Sequence, residues 1–145
     1  MTIAAILEDK AARGADAVTS VPGDMGVADA VRLLAERRIG AVPVVEGDQV
    51  IGIFSERDLV YGLAQEGAAI LDRSVREVMT APAITVEPQA PILHALALMT
   101  RRRVRHLPVM QGGGMAGFVS IGDLVKRRID QIEAEAAAMR DYIAS

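Results

Sequence analysis

Two stretches of the chain bring a hydroxyl, a carboxylate and the start of a helix together. They are Gly52-Ile53-Phe54-Ser55-Glu56-Arg57-Asp58 and Gly117-Phe118-Val119-Ser120-Ile121-Gly122-Asp123. In each, an apolar run that reads as the end of a buried strand meets Ser-x-x-Asp followed by Leu-Val, a helix-start signal. The first N–H groups of a helix lack partners and the macrodipole is positive there, so such a junction attracts phosphate. The same residues also spell a capping box, in which Ser55 and Asp58, or Ser120 and Asp123, satisfy backbone donors. Two equivalent helices need two equivalent caps, so recurrence alone does not separate the readings.

The surrounding pattern supplies a scaffold for these junctions. Residues 3–12 read as a short helix with Ile3, Ile6 and Leu7 on one side. Val18 to Val21 is a strand candidate closed by a turn at Pro22-Gly23-Asp24. Val27, Ala30, Val31 and Leu34 recur at helical spacing through Arg38. Ala41 to Val45 and Val50 to Phe54 read as two strands joined by a turn at Glu46-Gly47-Asp48-Gln49. A helix then runs from Ser55 to about Ala64. Pro43 and Pro108 lie inside strand-like runs, which predicts edge strands, since proline cannot donate to a ladder.

A shift of 65 residues superimposes this β-α-β-β-α order on itself. Pro43-Val44 falls on Pro108-Val109, Gly52 on Gly117, Ser55 on Ser120 and Asp58 on Asp123, with no gap between Val21 and Val60. Turn residues, caps and core positions repeating together mark an internal duplication. A unit this small leaves an apolar sheet face uncovered, so the two should pack about a pseudo-two-fold axis. The divisions are 1–67 for the N-terminal helix and first repeat, 68–130 for the linker and second repeat, and 131–145 for an extension of the last helix. In the linker, Val75, Val78 and Met79 suit a helical turn before Thr80-Ala81-Pro82. In the last helix Val125, Ile129, Ile132, Ala136, Met139 and Ile143 form a coiled-coil-like stripe. Such a stripe needs a surface to cover, and its length favours a second subunit.

Composition narrows the function. The net charge of −3, with two Phe, two Tyr and no Trp, argues against nucleic-acid binding. No apolar run spans a bilayer, the N-terminus is interrupted by charge too early for a secretory signal, and there is no Cys. The expectation is a soluble cytoplasmic protein with no membrane partner. His94 and His106 are the only imidazoles and no carboxylate cluster accompanies them, so no catalytic residue and no metal ligand is assigned. His94 reads as an exposed helix position.

Ile-Gly-Ala-Val-Pro-Val-Val with Gly-Ile-Phe-Ser-Glu-Arg-Asp-Leu, and Val-Arg-His-Leu-Pro-Val-Met with Gly-Phe-Val-Ser-Ile-Gly-Asp-Leu, resemble the CBS domain. The pair resembles a Bateman module over roughly residues 15 to 130. The resemblance implies an α/β (α+β) fold of tandem repeats and a sensor of adenosine-containing ligands such as AMP, ADP or ATP, with no cofactor required. In similar modules the Asp of each motif holds ribose, the Ser and helix start face ribose or phosphate, and apolar strand residues sandwich adenine. Carried over, one site uses Ser55, Arg57 and Asp58 with Val42 and Pro43, walled by Thr80, Ala81 and Ile84. The other uses Ser120 and Asp123 with Leu107 and Pro108, walled by Ala17, Val18 and Thr19. Arg105 and His106 stand where the first repeat has Gly40 and Ala41, so the resemblance implies that the Asp123 site is better equipped for a charged tail.

Two functions compete. One is a stand-alone regulatory module, homodimeric, that binds an adenosine-containing molecule and signals to an unidentified effector protein. The other is an adaptor that dimerises through its surfaces with its clefts empty.

Overall fold

The computed structural model describes residues 1–15 and 17–145. Its elements, in chain order, are α1 (Ile3–Ala12), α2 (Val27–Arg37), β1 (Ala41–Glu46), β2 (Gln49–Ser55) and α3 (Glu56–Glu66). A short 3-10 helix (Gly67–Asp72) and α4 (Val75–Val78) form the linker, as its apolar spacing suggested. The second unit contains α5 (Ile92–Arg102), β3 (His106–Gln111), β4 (Gly114–Ser120) and α6 (Ile121–Ala144).

Each unit is built on an antiparallel hairpin, β1–β2 or β3–β4, with a register shift at Val44/Val45 and at Val109/Met110. Gly47 and Gly112 sit in the turns with positive φ, a conformation that a side chain resists. The strand expected at Val18–Val21 is reduced to one parallel bridge, Val21 to Val44, and Val86 bridges Val109 in the same way. Pro22 comes directly after Val21 and has no N–H with which to continue the ladder. The strands that hold Pro43 and Pro108 are edges of two-stranded sheets, as expected. A single bridge lies along the free edge of β1, where the Val21 N–H donates to the Pro43 carbonyl and the Val45 N–H donates to Val21. The bridge uses a carbonyl at 43 and a donor at 45, and so bypasses the proline nitrogen.

The two cores correspond under the 65-residue shift. Val21, Val27, Ala30, Leu34, Val42, Val44 and Phe54 bury in the first. Val86, Ile92, Ala95, Met99, Leu107, Val109 and Val119 bury at the matching places in the second. Burial of a Val, Leu or Met side chain is worth about 1.5–3 kcal/mol, so these positions hold each unit together.

The helices that precede the units are exchanged. Ile3 and Ile6 of α1 complete the second core, and Val75 of α4 completes the first. The docking is alike: Ile92 N–H donates to Met1 and Ile3 N–H to Ala90, while Val27 N–H donates to Arg73 and Val75 N–H to Met25. Each unit therefore carries a helix from ahead of its partner, a reciprocal arrangement that suits two-fold packing.

Both motif helices begin with complete capping boxes. The Ser55 N–H donates to Asp58 Oδ2 at 2.8 Å, and the Ser120 N–H to Asp123 Oδ2 at 2.8 Å. The reverse bonds run from Asp58 N–H to Ser55 Oγ and from Asp123 N–H to Ser120 Oγ. At the other end of the chain, α6 runs on past the body. Val125, Ile129, Ile132, Met139 and Ile143 are between 42% and 75% exposed, so the described residues leave about half or more of each uncovered.

Candidate functional site

A cavity of about 390 Å³ opens where the two units meet, and Asp123 is on its wall. That volume lies in the range of small-molecule sites. The second unit contributes His106 from β3, Ala116 to Phe118 from β4, and Ser120 with Asp123 from the capped start of α6. The first unit contributes Ala17, Val18 and Thr19, with Ile39 and Ala41. Helix α1 supplies the remaining wall with Leu7, Lys10 and Ala11. The structure thus gathers the expected wall residues 17–19 and the Ser120/Asp123 pair around one space.

The electrostatics centre on one carboxylate. Lys10 Nζ donates to Asp123 Oδ2 and to the Phe118 carbonyl, both at 3.0 Å. The two side chains are only 20% and 24% exposed. Burial alone would raise the Asp123 carboxyl. The Ser120 N–H and the Lys10 ammonium outweigh it and hold the group below the ordinary carboxylate range. Both donors fall on Oδ2, and none of the described residues bonds Oδ1. His106 stacks on Phe118 with ring centroids 5.5 Å apart and planes 13° apart. Burial pushes its imidazole below the usual histidine range, against the opposing pull of Asp123 and Glu56.

The cleft beside Asp58 is arranged differently. Thr80 pairs with Ile53 through two backbone hydrogen bonds, so the linker lies directly along β2. Thr80 Oγ1 donates to Asp58 Oδ1 at 2.7 Å while Ser55 N–H and Oγ both donate to Oδ2. Both carboxylate oxygens are therefore engaged from within the chain. Thr80 lies at the carboxylate as expected. Ala81 is exposed beside it, and Ile84 is partly buried against the second core.

Several other expected residues stand elsewhere. Val42 and Leu107 are fully buried in the two cores and are not cavity wall, because strand alternation sends them inward with Val44 and Val109. Pro43 and Pro108 are also buried, opposite Ile53 and Phe118 in the hairpins. The Arg57 guanidinium donates to the carbonyl of Arg103, the left-handed residue that ends α5. It is thereby committed to a helix end of the other unit. Arg105 is exposed and off the cavity wall, and its carbonyl accepts the Ile121 N–H.

Sequence reasoning missed Lys10 and Leu7. The glycine of the motif was the available signal for Leu7: a Cβ on Gly117 would lie 2.5 Å from Leu7 Cδ2, so the glycine admits α1 to the sheet. Lys10, one cation on a short helix, gives no such signal. Among the described residues, no group of three or more His, Cys, Asp or Glu could hold a metal ion, and no helix is long and apolar enough to cross a membrane.

Comparison with known proteins agrees with this architecture. The CBS domain family model matches residues 15–65 and 75–130. A mitochondrial CBS-domain-containing protein of Arabidopsis thaliana is 37% identical over 125 residues, which are 83% of this chain. The match spans 61% of that protein's length. A crystal structure of a CBS-domain-containing protein from Agrobacterium tumefaciens is 36% identical with a TM-score of 0.81, covering 88% of this chain and 99% of that one. A CBS domain pair solved with 5-methylthioadenosine and S-adenosyl-L-methionine shares the fold, with a TM-score of 0.76 at 20% identity over 90% of this chain and 98% of that one.

Proposed function

The chain belongs to the CBS-domain family, and on that premise we propose that it is a regulatory module that binds an adenosine-containing ligand in the Asp123 cleft. The observation that carries this reading is the cavity between the units, with a carboxylate at the capped start of α6 and an apolar wall opposite. A ribose diol donates hydrogen bonds and suits Asp123, whose Oδ1 has no bond from the described residues. Adenine suits the space near Val18, Ile39 and Ala41, whose side chains are apolar. The methylthioadenosine-bound neighbour supports the ligand class. The proposed ligand is AMP, ADP or ATP, and the proposed role is regulation in the cytoplasm without catalysis.

At the Asp58 cleft a ligand must first displace Thr80, so we assign that cleft the weaker binding. The exposed apolar stripe of α6 supports a homodimer, since an uncovered stripe of this length is a contact surface. Light scattering at micromolar concentration should give two subunits, and a chain lacking residues 131–145 should dissociate or aggregate. A monomeric full-length chain contradicts the dimer. Ligand binding is tested by native mass spectrometry of protein purified without added nucleotide and then mixed with AMP. One retained AMP per chain is the expected result, and none would refute the sensor.

A further inference from the structure

Lys10 has no counterpart in the internal repeat. Helix α1 docks on the second unit as α4 docks on the first, but α4 ends at Val78 and the chain turns into Thr80. Helix α1 continues to Ala12, and the added length places an ammonium at Asp123, where the Asp58 cleft has only the Thr80 hydroxyl. Lysine presents three N–H donors. Two are committed, to Phe118 O and Asp123 Oδ2, and the third has no partner among the described residues, on a side chain that lines the cavity.

The charge arithmetic of the cleft decides what that donor is for. Lys10 offsets Asp123, and Arg105 offsets Glu56 among the charges that act on His106, so the described residues leave the empty cleft near neutral. A ribose diol on Asp123 Oδ1 draws on the charge of the same carboxylate that holds Lys10 through Oδ2, and so weakens that pair. A half-buried ammonium that loses part of its partner needs another acceptor, because an unpaired charge in that setting is costly. A phosphate group on the ligand meets the need with a charge-assisted bond. A neutral nucleoside does not, and a cationic sulfonium adds a like charge to the cleft.

We propose that Lys10 reads the charge of the ligand's tail, so that the Asp123 cleft selects a nucleoside 5′-phosphate over a neutral nucleoside and disfavours a sulfonium-bearing adenosyl ligand. This rests on the adenosine reading of the cleft. It places the anion contact on the N-terminal helix, whereas the family resemblance pointed to Arg105.

Calorimetric titration of the full-length chain with AMP, adenosine and S-adenosylmethionine tests it. AMP should bind at least about tenfold more tightly than adenosine, as a charge-assisted bond implies, and S-adenosylmethionine more weakly than adenosine. Lys10→Gln keeps a donor for Phe118 and removes the charge, and it should bring AMP and adenosine to within about threefold of each other. Lys10→Arg should preserve the preference. An AMP preference that survives in Lys10→Gln would overturn the proposal. Should Lys10→Gln not fold, the parent's ranking decides: AMP first supports the proposal, and three equal affinities overturn it. Equal affinities remove this inference and leave the adenosine reading standing, whereas no binding of any of the three removes both.

Discussion

The Asp58 and Asp123 clefts start from the same motif and end in different states. Each has Ser-x-x-Asp in an intact capping box, and each has a glycine that lets a preceding segment approach the sheet, Met79 and Thr80 just past α4 at Gly52 and Leu7 of α1 at Gly117. They differ in the length of chain that leads from α4 or α1 into the unit. Met1 and Arg73, which accept equivalent hydrogen bonds, lie 72 residues apart, while Val21 and Val86, which make equivalent bridges, lie 65 apart. The chain entering the first unit is therefore seven residues longer than the chain entering the second (72 less 65). Six residues between Met79 and Val86 force Thr80 flat against β2, where it occupies Asp58. The longer path from Leu7 to Val21 allows α1 its extra turns and leaves a cavity beside Asp123. A motif thus supplies a site's chemistry, and the length of chain in front of it sets whether the site is open.

The largest effect expected from breaking this comparison is at the two glycines. A Cβ on Gly52 would lie 2.6 Å from Met79 Sδ and 2.8 Å from the Thr80 carbonyl, which is backbone and cannot swing away. Gly52→Ala should therefore cost about 1–3 kcal/mol in urea unfolding. Gly117→Ala meets only the end of the Leu7 side chain and should cost less. Equal costs would mean that the two approaches are equally rigid. Next in size is Thr80→Val, which removes the bond to Asp58 and should cost about 0.5–1.5 kcal/mol. It should also strengthen nucleotide binding at the Asp58 cleft, seen as a second equivalent in titration. No gain in stoichiometry would show that Thr80 is not what closes that cleft.

The smallest effect is in pH, at the Asp123 cleft. Burial lowers the folded pKa of His106, so below about 6.5 the unfolded chain takes up its proton first. Stability should accordingly be full above that pH and decline as the pH falls through the folded value. Asp123 is also lowered in the folded state, so its contribution is present above about 3.9 and is lost on further acidification. His106→Leu should remove the first stage and leave the second. Unfolding curves that grow more stable from pH 7 to pH 5 would contradict the assignment.

Much of this was legible in the chain. The 65-residue shift placed the hairpins, the caps and the paired cores, because those features depend on local periodicity and turn chemistry. The Ala17–Thr19 wall of the Asp123 cleft came from the family resemblance. What escaped was contact between distant segments. Ile3, Ile6 and Leu7 mark an apolar face, but nothing in the spacing says that it docks on the second core. Arg57 has the charge for a phosphate, and only the left-handed end of α5 shows why it binds Arg103 instead. Lys10 reaches Asp123 across 113 positions of sequence, so no local pattern records the pair.

The claim that the clefts are unequal, with Asp123 the ligand site, is tested most directly by thermal unfolding with AMP at about 100 times its Kd. A ligand that binds only the folded state then stabilises it by about 2.7 kcal/mol. The parent and Asp58→Ala should both show the upward shift in Tm, while Asp123→Ala should lose it; that variant gives up a cap, about 0.5–2 kcal/mol, and leaves Lys10 without its partner, so it is scored where its own unfolding transition is present. A response that survives in Asp123→Ala and disappears in Asp58→Ala, or a parent that AMP does not shift, would contradict the account.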